Sequence, residues 1–351
     1  KFKLPLLDFL IKPSKKERTN SSSNEEIDSN FLEKILLENT NDIAEAINQD
    51  FGNRPSQETL MLEVFGLLGS IKFTRKNLKT WIKPQKRHVG LSFLGAKNTL
   101  IAQPKGVIGI ISPWNYPLFL AFSPCISALA AGNRCVIKMA SNAQHLCRLM
   151  AKLIFENFDK QVLAVIPEIS PNAFTDLPWD HLVFTGSPAV GKKVMSVAAK
   201  HLTPVTLELG GKSPTIISDD FDLKEAANRV LFAKFLNAGQ TCVAPDHLYI
   251  PASKVDDFVL MAKEIVGKRY INTASDDYTA IIDEKAFNRI NSTLQDSINK
   301  GAKAINLVEG DAVNNSKKKI APHLLLNVDD EMLVMQEEIF GPLLPIIPYD
   351  N

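Results

Sequence analysis

From Val107 onward, short apolar runs alternate with amphipathic stretches. The apolar runs are typical of buried strands, and the stretches between them carry apolar residues at helical spacing. The predicted strands are Val107–Ile111, Cys135–Ile137, Leu182–Phe184 and Val205–Leu207. The predicted helices between them are Leu118–Ala131, Gln144–Phe155 and Ala189–Lys200. Strands and helices that alternate in this way predict βαβ units around a parallel sheet.

A second series of the same kind follows. It comprises predicted strands at Thr215–Ile217, His247–Ile250 and Ala280–Ile282, and predicted helices at Leu223–Leu236, Lys254–Val266 and Glu284–Lys300. The last helix has a candidate N-cap in Asp283 and a glycine, Gly301, just beyond its end. The chain is therefore predicted to fold as two α/β domains in series.

The region before these series is predicted to be helical. Apolar spacing indicates a pair of helices between Phe31 and Ile47, with Asn39, Thr40 and Asn41 as the break and a cap. A longer helix is predicted over residues 57–83, and its second half carries Lys and Arg on one face. This basic face is either a solvated helix surface or a surface that binds an anion, a membrane or a partner. The polar segment at residues 12–30 is predicted to be a loop.

Composition narrows the class of protein. The chain has 351 residues, of which 45% are hydrophobic and 23% charged, as in an average soluble globular protein. With 40 Lys and Arg against 39 Asp and Glu, it does not resemble a basic nucleic-acid binder. The 4 cysteines contain no CxxC pair, so we expect no disulfide framework, no bound metal and a cytoplasmic location. The uncharged segment Val107–Asn133 is long enough to span a bilayer, but its prolines disfavour a transmembrane helix.

A cysteine and a glutamate lie at positions suited to catalysis. Cys242 follows a predicted helix and lies at a turn, where a substrate can reach its thiolate. The alternative is that Cys242 is a structural cysteine, which is what we expect of Cys125. Glu208 ends an apolar strand before a Gly-Gly turn. Burial there would raise the pKa of its carboxyl and make it a usable general base. The alternative is a strand-edge glutamate paired with Lys212.

The segment Thr185–Gly191 is a weaker signal for phosphate binding. It follows a predicted strand and opens a helix, where glycines let the backbone approach a phosphate and helix N–H groups can bind it. Many strand-to-helix turns contain glycine for packing alone, so this segment is not decisive by itself.

Ordered motifs in this sequence resemble those of the aldehyde dehydrogenases. They are Pro113-Trp114-Asn115-Tyr116-Pro117, Phe184-Thr185-Gly186-Ser187 with Gly191, Leu207-Glu208-Leu209-Gly210-Gly211-Lys212, Gly239-Gln240-Thr241-Cys242 and Glu337-Glu338-Ile339-Phe340-Gly341-Pro342. The resemblance extends from about Leu32 to Asn351. It is greatest to the class 3 and coniferyl aldehyde dehydrogenase branch.

The resemblance implies an α/β fold with two domains. These are a Rossmann-like NAD(P)-binding domain over residues 1–209, with residues 87–103 as an oligomerisation ribbon, and a catalytic α/β domain over residues 210–337. Residues 338–351 are expected to return to the cofactor domain. Relatives continue beyond this point, so we expect the chain to be truncated at its C-terminus and the full-length protein to be a homodimer.

The resemblance also implies the reaction and its residues. An aldehyde would be oxidised through a cysteine thiohemiacetal and thioester, with Cys242 as the nucleophile, Glu208 as the base that activates water and Asn115 as an oxyanion donor. The residues expected to bind NAD or NADP are Trp114, Lys138, Ser141, Gly186, Ser187, Gly191, Glu338 and Phe340. Ser141 stands where relatives often have a glutamate that contacts the adenosine ribose.

Two other functions are compatible with these motifs. One is an acylating dehydrogenase or reductase that passes the thioester to coenzyme A or makes the aldehyde, which Glu208 disfavours because such enzymes generally lack the hydrolytic carboxylate. The other is a catalytically inactive, cofactor-binding subunit, which the presence of Cys242, Glu208 and Asn115 disfavours.

Overall fold

The computed structural model describes residues 31–350. Within this range the chain forms two compact units. The first comprises residues 31–43 and 60–208, and the second comprises residues 44–59 and 209–350. The predicted loop at residues 12–30 lies outside the described residues.

The first unit is built on a five-stranded sheet. The strands up to the unit boundary are β1 (Gln85–Arg87), β2 (Asn98–Leu100), β3 (Val107–Ile111), β4 (Arg134–Lys138), β5 (Leu163–Val165), β6 (His181–Gly186) and β7 (Val205–Leu209). The sheet has the order β5-β4-β3-β6-β7, and β3 pairs in parallel with both β4 and β6. The chain thus winds outward from β3 first on one side and then on the other, which is the doubly wound arrangement of a Rossmann-like domain.

Helices surround the strands of both units. In chain order they are residues 31–38, α1 (Thr40–Phe51), α2 (Ser56–Thr59), a π-helical turn (Leu60–Val64), α3 (Phe65–Trp81), α4 (Pro117–Ala130), α5 (Gln144–Asn157), α6 (Pro171–Thr175), α7 (Pro188–Ala198), α8 (Leu223–Phe235), α9 (Val255–Arg269), α10 (Glu284–Asn299) and α11 (Leu333–Gln336). No helix between residues 31 and 350 combines the length and the hydropathy needed to cross a membrane.

The second unit has a mixed sheet. Its strands are β8 (Pro214–Ile216), β9 (His247–Pro251), β10 (Lys303–Asn306), β11 (Val313–Asn314), β12 (Lys319–Ile320), β13 (His323–Leu326) and β14 (Leu343–Tyr349). The order is β10-β13-β14-β9-β8, with β13, β14, β9 and β8 parallel and β10 antiparallel at the edge. The strands β11 and β12 form a separate antiparallel pair.

Each unit has its own apolar core. In the first, Val107, Val136 and Leu182 from adjacent strands belong to one buried cluster. In the second, Leu248 and Leu344 from adjacent strands pack with residues of α8 and α9. Burying each such side chain stabilises the fold by roughly 1.5–3 kcal/mol before the cost of ordering it is counted. Strands buried on both faces explain why their sequences are continuous apolar runs.

Most predicted helices and strands have nearly the observed bounds, with local exceptions. Ala280–Ile282 is not a strand, because Ala280 N–H bonds to Asn53 and Ile281 N–H to Lys318, two separate segments that form no ladder. The predicted helix at residues 57–83 is interrupted by the π-helical turn. The Thr40 hydroxyl donates to the Leu36 carbonyl at 2.8 Å and so does not cap a helix start.

The expected return of residues 338–351 to the cofactor domain is wrong. The strand β14 lies inside the sheet of the second unit, paired in parallel with β13 on one side and β9 on the other. Its apolar sequence predicts a strand, and the first half of that strand is buried. An apolar composition does not specify which of the two sheets the strand joins.

The segment expected to be an oligomerisation ribbon contains an exposed hairpin. β1 and β2 pair antiparallel, with Gln85 opposite Leu100 and Arg87 opposite Asn98. All residues of both strands are exposed.

Candidate active site

Several predicted cofactor residues follow the same edge of the first sheet. Because β3, β4 and β6 are parallel and in register, Ile111 lies opposite both Lys138 and Phe184. The segments that carry Trp114, Ser141 and Ser187 therefore leave the sheet at its carboxyl edge. In doubly wound sheets this edge, next to the strand where the winding reverses, is where nucleotides bind.

The turn between β3 and α4 holds Asn115 in a buried position. Ser112 N–H donates to the Lys138 carbonyl at 3.0 Å, and the Ser112 hydroxyl lies within 3.3 Å of the Pro117 carbonyl. Asn115 is 3% exposed, and Trp114 is half-buried. A buried amide whose position is set by the backbone on both sides is suited to stabilising a developing oxyanion.

Lys138 is a buried cation at the end of β4. Its Nζ donates to the Met139 carbonyl at 2.9 Å, and it is 4% exposed. Burial lowers the pKa of Lys138, while the nearby Cys147 opposes that shift. Ser141 is exposed in the turn before α5, where its hydroxyl adds no negative charge beside Lys138.

The glycine-rich segment after β6 opens α7 as predicted. Ser187 caps the helix, with its hydroxyl oxygen accepting from Val190 N–H at 3.4 Å. A Cβ at Gly186 would lie 2.6 Å from the Phe184 ring, so the close packing there requires glycine. Gly191 is buried one turn into α7. The helix start leaves N–H groups able to bind a phosphate.

Glu208 is exposed, and its expected burial is wrong. It lies near the end of β7, which is the outermost strand of its sheet and has no neighbour on one side. The alternative pairing with Lys212 is not found either, since the Lys212 ammonium binds Asp246 at 2.5 Å. An exposed carboxylate at this position has access to water.

Cys242 lies in the second unit on a turn, as predicted. The turn Leu236–Gly239 contains three residues with left-handed backbone, Asn237 (φ 52°), Ala238 (φ 51°) and Gly239 (φ 74°). The Gln240 amide stabilises it by donating to the Asn237 and Ala280 carbonyls at 3.0 and 3.1 Å. Cys242 is partly exposed and in no disulfide, whereas Cys125 is fully buried, as the sequence predicted.

Glu338 lies in the segment between α11 and β14. Burial raises the pKa of its carboxyl, and the Gly211 N–H opposes that shift. Its Oε1 is buried without a hydrogen-bond partner among the described residues. A Cβ at Gly210 would overlap the Glu338 carboxylate, so the observed position of that carboxylate depends on the absence of a side chain at residue 210. The unpartnered oxygen fits a hydroxyl donor such as the ribose of a nucleotide.

Asp246 and Lys234 are among the buried charges of the second unit that were not singled out from the sequence. Asp246 is 4% exposed and Lys234 is 1% exposed. The available signal was a charged residue among apolar neighbours at an element boundary, since Asp246 directly precedes β9 and Lys234 lies at the end of α8. Between residues 31 and 350 no group of three or more His, Cys, Asp or Glu side chains could hold a metal ion.

The comparison with known proteins decides the family. Residues 29–351 match the model of the aldehyde dehydrogenase family. The chain belongs to the aldehyde dehydrogenase family. This assignment confirms the resemblance, the α/β aldehyde dehydrogenase fold and the oxidoreductase class that the motifs implied.

Individual aldehyde dehydrogenases resemble the chain over nearly all its length. It is 47% identical over 323 residues to a protein named probable coniferyl aldehyde dehydrogenase from Pseudomonas aeruginosa, covering 91% of this chain and 67% of the relative. The solved substrate-bound AldH of Staphylococcus aureus has a TM-score of 0.85 at 36% identity, over 94% of this chain and 71% of that one. The chain thus spans about two thirds of the length of its curated relative.

The cofactor class follows from the same family. A Mycobacterium tuberculosis aldehyde dehydrogenase solved in complex with NAD+ matches with a TM-score of 0.85 at 29% identity, covering 95% of this chain and 70% of that one. Members of the family use a nicotinamide cofactor. The buried Lys138 and the unpartnered Glu338 oxygen are donor and acceptor groups that fit such a cofactor.

Proposed function

We propose that this chain carries the catalytic residues for oxidation of an aldehyde to a carboxylic acid with NAD or NADP. The observation that carries the proposal is Cys242, a partly exposed cysteine in no disulfide that follows the turn Leu236–Gly239 in an aldehyde dehydrogenase fold. Because a 47% identical relative is named probable coniferyl aldehyde dehydrogenase, we propose aromatic aldehydes as the first substrate class and medium-chain aliphatic aldehydes as the second.

The covalent steps take place on Cys242. Its thiolate attacks the aldehyde carbon to form a carbon–sulfur bond, and the Asn115 amide and the Cys242 backbone N–H stabilise the oxygen of this thiohemiacetal. The nicotinamide cofactor supplies the hydride acceptor when bound. Loss of the hydride leaves a thioester on Cys242.

Glu208 completes the cycle. Its carboxylate accepts a proton from a water molecule, which attacks the thioester carbon and breaks the carbon–sulfur bond. The carboxylic acid leaves and the Cys242 thiolate is restored. The exposed position of Glu208 supports this role because a hydrolytic base requires access to water.

Eight residues are assigned to the cofactor. We assign Lys138 and Ser141 to the adenosine ribose and Gly186 and Ser187, with Gly191 behind them, to the pyrophosphate. We assign Trp114, Glu338 and Phe340 to the remainder of the dinucleotide. The parallel sheet edge and the unpartnered Glu338 oxygen support this assignment. None of the 4 cysteines, all of them within residues 31–350, forms a disulfide, which supports a location in the cytoplasm.

The two alternatives lack an observation in their favour. Transfer of the thioester to coenzyme A does not require Glu208, and an inactive subunit does not require an accessible Cys242. An assay of NAD(P)H formation with aromatic and aliphatic aldehydes separates them from hydrolytic oxidation. Absence of turnover with every aldehyde in a folded, full-length sample would contradict the proposed function.

The first prediction separates the two catalytic roles. Cys242→Ala is expected to abolish NADH formation, because no thiohemiacetal can form. Glu208→Gln is expected to give one burst of NADH per active site and then a steady rate reduced by at least about a hundredfold, because the thioester is not hydrolysed. Stopped-flow absorbance of NADH measures both. If Glu208→Gln turns over at the parental rate, Glu208 is not the base.

A further inference from the structure

A buried carboxylate in the second unit connects three separate segments. Asp246 lies at the start of β9, where its Oδ1 accepts from Lys212 Nζ at 2.5 Å and its Oδ2 accepts from Ile339 N–H at 2.9 Å. His247 Nδ1 lies 3.3 Å from Oδ1 as well. Asp246 thus links its own strand to the turn after β7 and to the segment before β14.

Lys212 strengthens the same connection. An ammonium has three N–H donors, and those of Lys212 contact Asp246 Oδ1 and the carbonyls of Val334 and Glu337, each carbonyl at 2.9 Å. The two carbonyls belong to α11 and to the residue just after it. Lys212 therefore fixes the chain immediately before Glu338.

Hydrogen bonds fix both the N–H group and the carbonyl group of Ile339. The Ile339 N–H donates to Asp246, and the Ile339 carbonyl accepts from Arg289 Nη2 at 2.8 Å. Phe340, which follows, has a left-handed backbone with φ of 47°. A non-glycine residue keeps this conformation, at a cost of about 1 kcal/mol or more, only where its neighbours fix the backbone.

The residues on either side of Ile339 are those assigned above to the cofactor. Glu338 precedes it, with one carboxylate oxygen unpartnered, and Phe340 follows it. The mechanism uses neither Asp246, Lys212 nor Arg289, although the first two form an ion pair in which Asp246 is buried and Lys212 is partly buried. Buried ion pairs cost desolvation free energy, and such a pair is weak evidence for stability by itself.

We propose that Asp246, held by Lys212, is a positioning residue for the nicotinamide-ribose end of the cofactor site. It fixes the Ile339 peptide so that Glu338 and Phe340 stand where the second ribose and the nicotinamide bind. Arg289 performs the same task from the carbonyl side of that residue. This inference rests on the proposed function, because it requires that the Glu338 segment contacts the cofactor.

A comparison of NAD with ADP tests the proposal without turnover. ADP contains the adenosine and the phosphates but lacks the nicotinamide riboside. Asp246→Asn keeps the shape of the side chain, but its amide has one carbonyl oxygen and cannot accept from both Lys212 and Ile339. We expect the Asp246→Asn substitution to raise the Kd of NAD by about tenfold or more and to change the Kd of ADP by less than about twofold. Fluorescence titration measures both constants.

A double-mutant cycle shows whether Asp246 acts through Glu338. Glu338→Gln alone is expected to weaken NAD binding. In that background Asp246→Asn should weaken it further by less than about threefold, because the group that it positions has already been impaired. Asp276→Asn is the matched control: it removes an exposed carboxylate paired with Lys317 at 3.1 Å in the same unit, and we expect both Kd values to be unchanged.

Several results would overturn the proposal. Equal loss of NAD and ADP affinity would indicate a general structural role, and full additivity with Glu338→Gln would show that Asp246 acts elsewhere. If Asp246→Asn does not fold, Arg289→Met gives the same test, and unchanged NAD affinity in that variant would count against the proposal. A parent chain that binds NAD but oxidises no aldehyde would contradict the proposed function alone, whereas one that binds no NAD would contradict both.

Discussion

Ser141 is an exposed, neutral residue that follows the buried Lys138 by three positions, in the segment assigned to the adenosine ribose. Many NAD-selective sites have a carboxylate here, which binds the ribose hydroxyls and repels the 2′-phosphate of NADP. Without that charge, a 2′-phosphate meets a lysine and an exposed hydroxyl. The charge at one residue therefore bears directly on cofactor choice.

We predict that the chain accepts NADP within about tenfold of its affinity for NAD. Ser141→Glu should shift the preference towards NAD by about tenfold, because a like-charge interaction at a partly exposed site is worth about 1–2 kcal/mol. Competitive fluorescence titration with the two cofactors measures the ratio. Ser141→Ala, which introduces no charge, should leave it unchanged. Strong NAD selectivity that Ser141→Glu does not alter would mean that another residue controls the choice.

Lys234 interacts with the charges of Asp246, Lys212 and Glu338, and it is more deeply buried than Lys212. Burial lowers its pKa from 10.5 to about 8, while Asp246 and Glu338 favour the charged form and Lys212 disfavours it. Between these two pKa values the unfolded chain holds a proton that the folded chain has released. The contribution of Lys234 to the free energy of unfolding therefore rises with pH across that window.

We predict that Lys234→Met removes this pH dependence. The free energy of unfolding of the parent minus that of the variant should increase by about 3 kcal/mol between about pH 8 and about pH 10.5. Urea unfolding of both chains across that range measures the difference. Lys268→Met, which changes a side chain that is 73% exposed, should show no such trend. If the free energies of unfolding of the parent and of Lys234→Met change with pH in the same way, the pKa of Lys234 is not lowered by burial.

At the scale of elements, the turn before Cys242 depends on close approach of two backbones. Gly239 has φ of 74°, and a Cβ there would overlap the Gly341 carbonyl. The turn that precedes Cys242 is thus packed directly against the segment that follows Glu338. A side chain at residue 239 is incompatible with both the dihedral angle and the available space.

We predict that Gly239→Ala lowers the free energy of unfolding by about 2 kcal/mol or more. Gly267→Ala is the matched control in the same unit, since Gly267 lies inside α9 and its Cβ would have ordinary contact at 3.8 Å with the Leu307 carbonyl. Replacing a mid-helix glycine by alanine should raise stability by about 0.5–1 kcal/mol. Urea unfolding compares the two, and equal effects would contradict the close approach at Gly239.

At the scale of the whole molecule, the hairpin of β1 and β2 presents an exposed apolar surface within the described residues 31–350. Its connecting segment exposes Leu91 (87%), Leu94 (86%) and Phe93 (69%) to solvent. Contiguous exposed apolar side chains of this kind commonly mark an interface between proteins. We propose that a second copy of the chain covers them in a homodimer, as the resemblance of residues 87–103 to an oligomerisation ribbon implies.

We predict that replacing both Leu91 and Leu94 by Lys shifts the dimer to monomer, because two charges would be buried in an apolar contact. Sedimentation velocity measures the change. Leu202→Lys is the control, since Leu202 is 90% exposed but lies away from the hairpin, at the end of the helical segment after α7. A parent that is monomeric at high concentration, or a double variant that remains dimeric, would contradict the proposed interface.

The sequence by itself determined the features that depend on neighbouring residues. The strand Val107–Ile111 has the predicted bounds, and Asp283 caps α10 with its side chain accepting from Ala286 N–H at 2.8 Å. Periodicity and capping act within a few residues, so they can be predicted from short windows. The turn position of Cys242 and the helix start after Gly186 were predicted for the same reason.

Only the tertiary structure decided the features that depend on distant partners. Glu208 is exposed because β7 is an edge strand, and β14 belongs to the second sheet because β9 and β13 accept it there. Asp246 is buried and accepts from Ile339 N–H because folding removed it from water and placed that distant peptide against it. Strand pairing and desolvation join residues that are far apart in the chain, and no local pattern encodes which of them will meet.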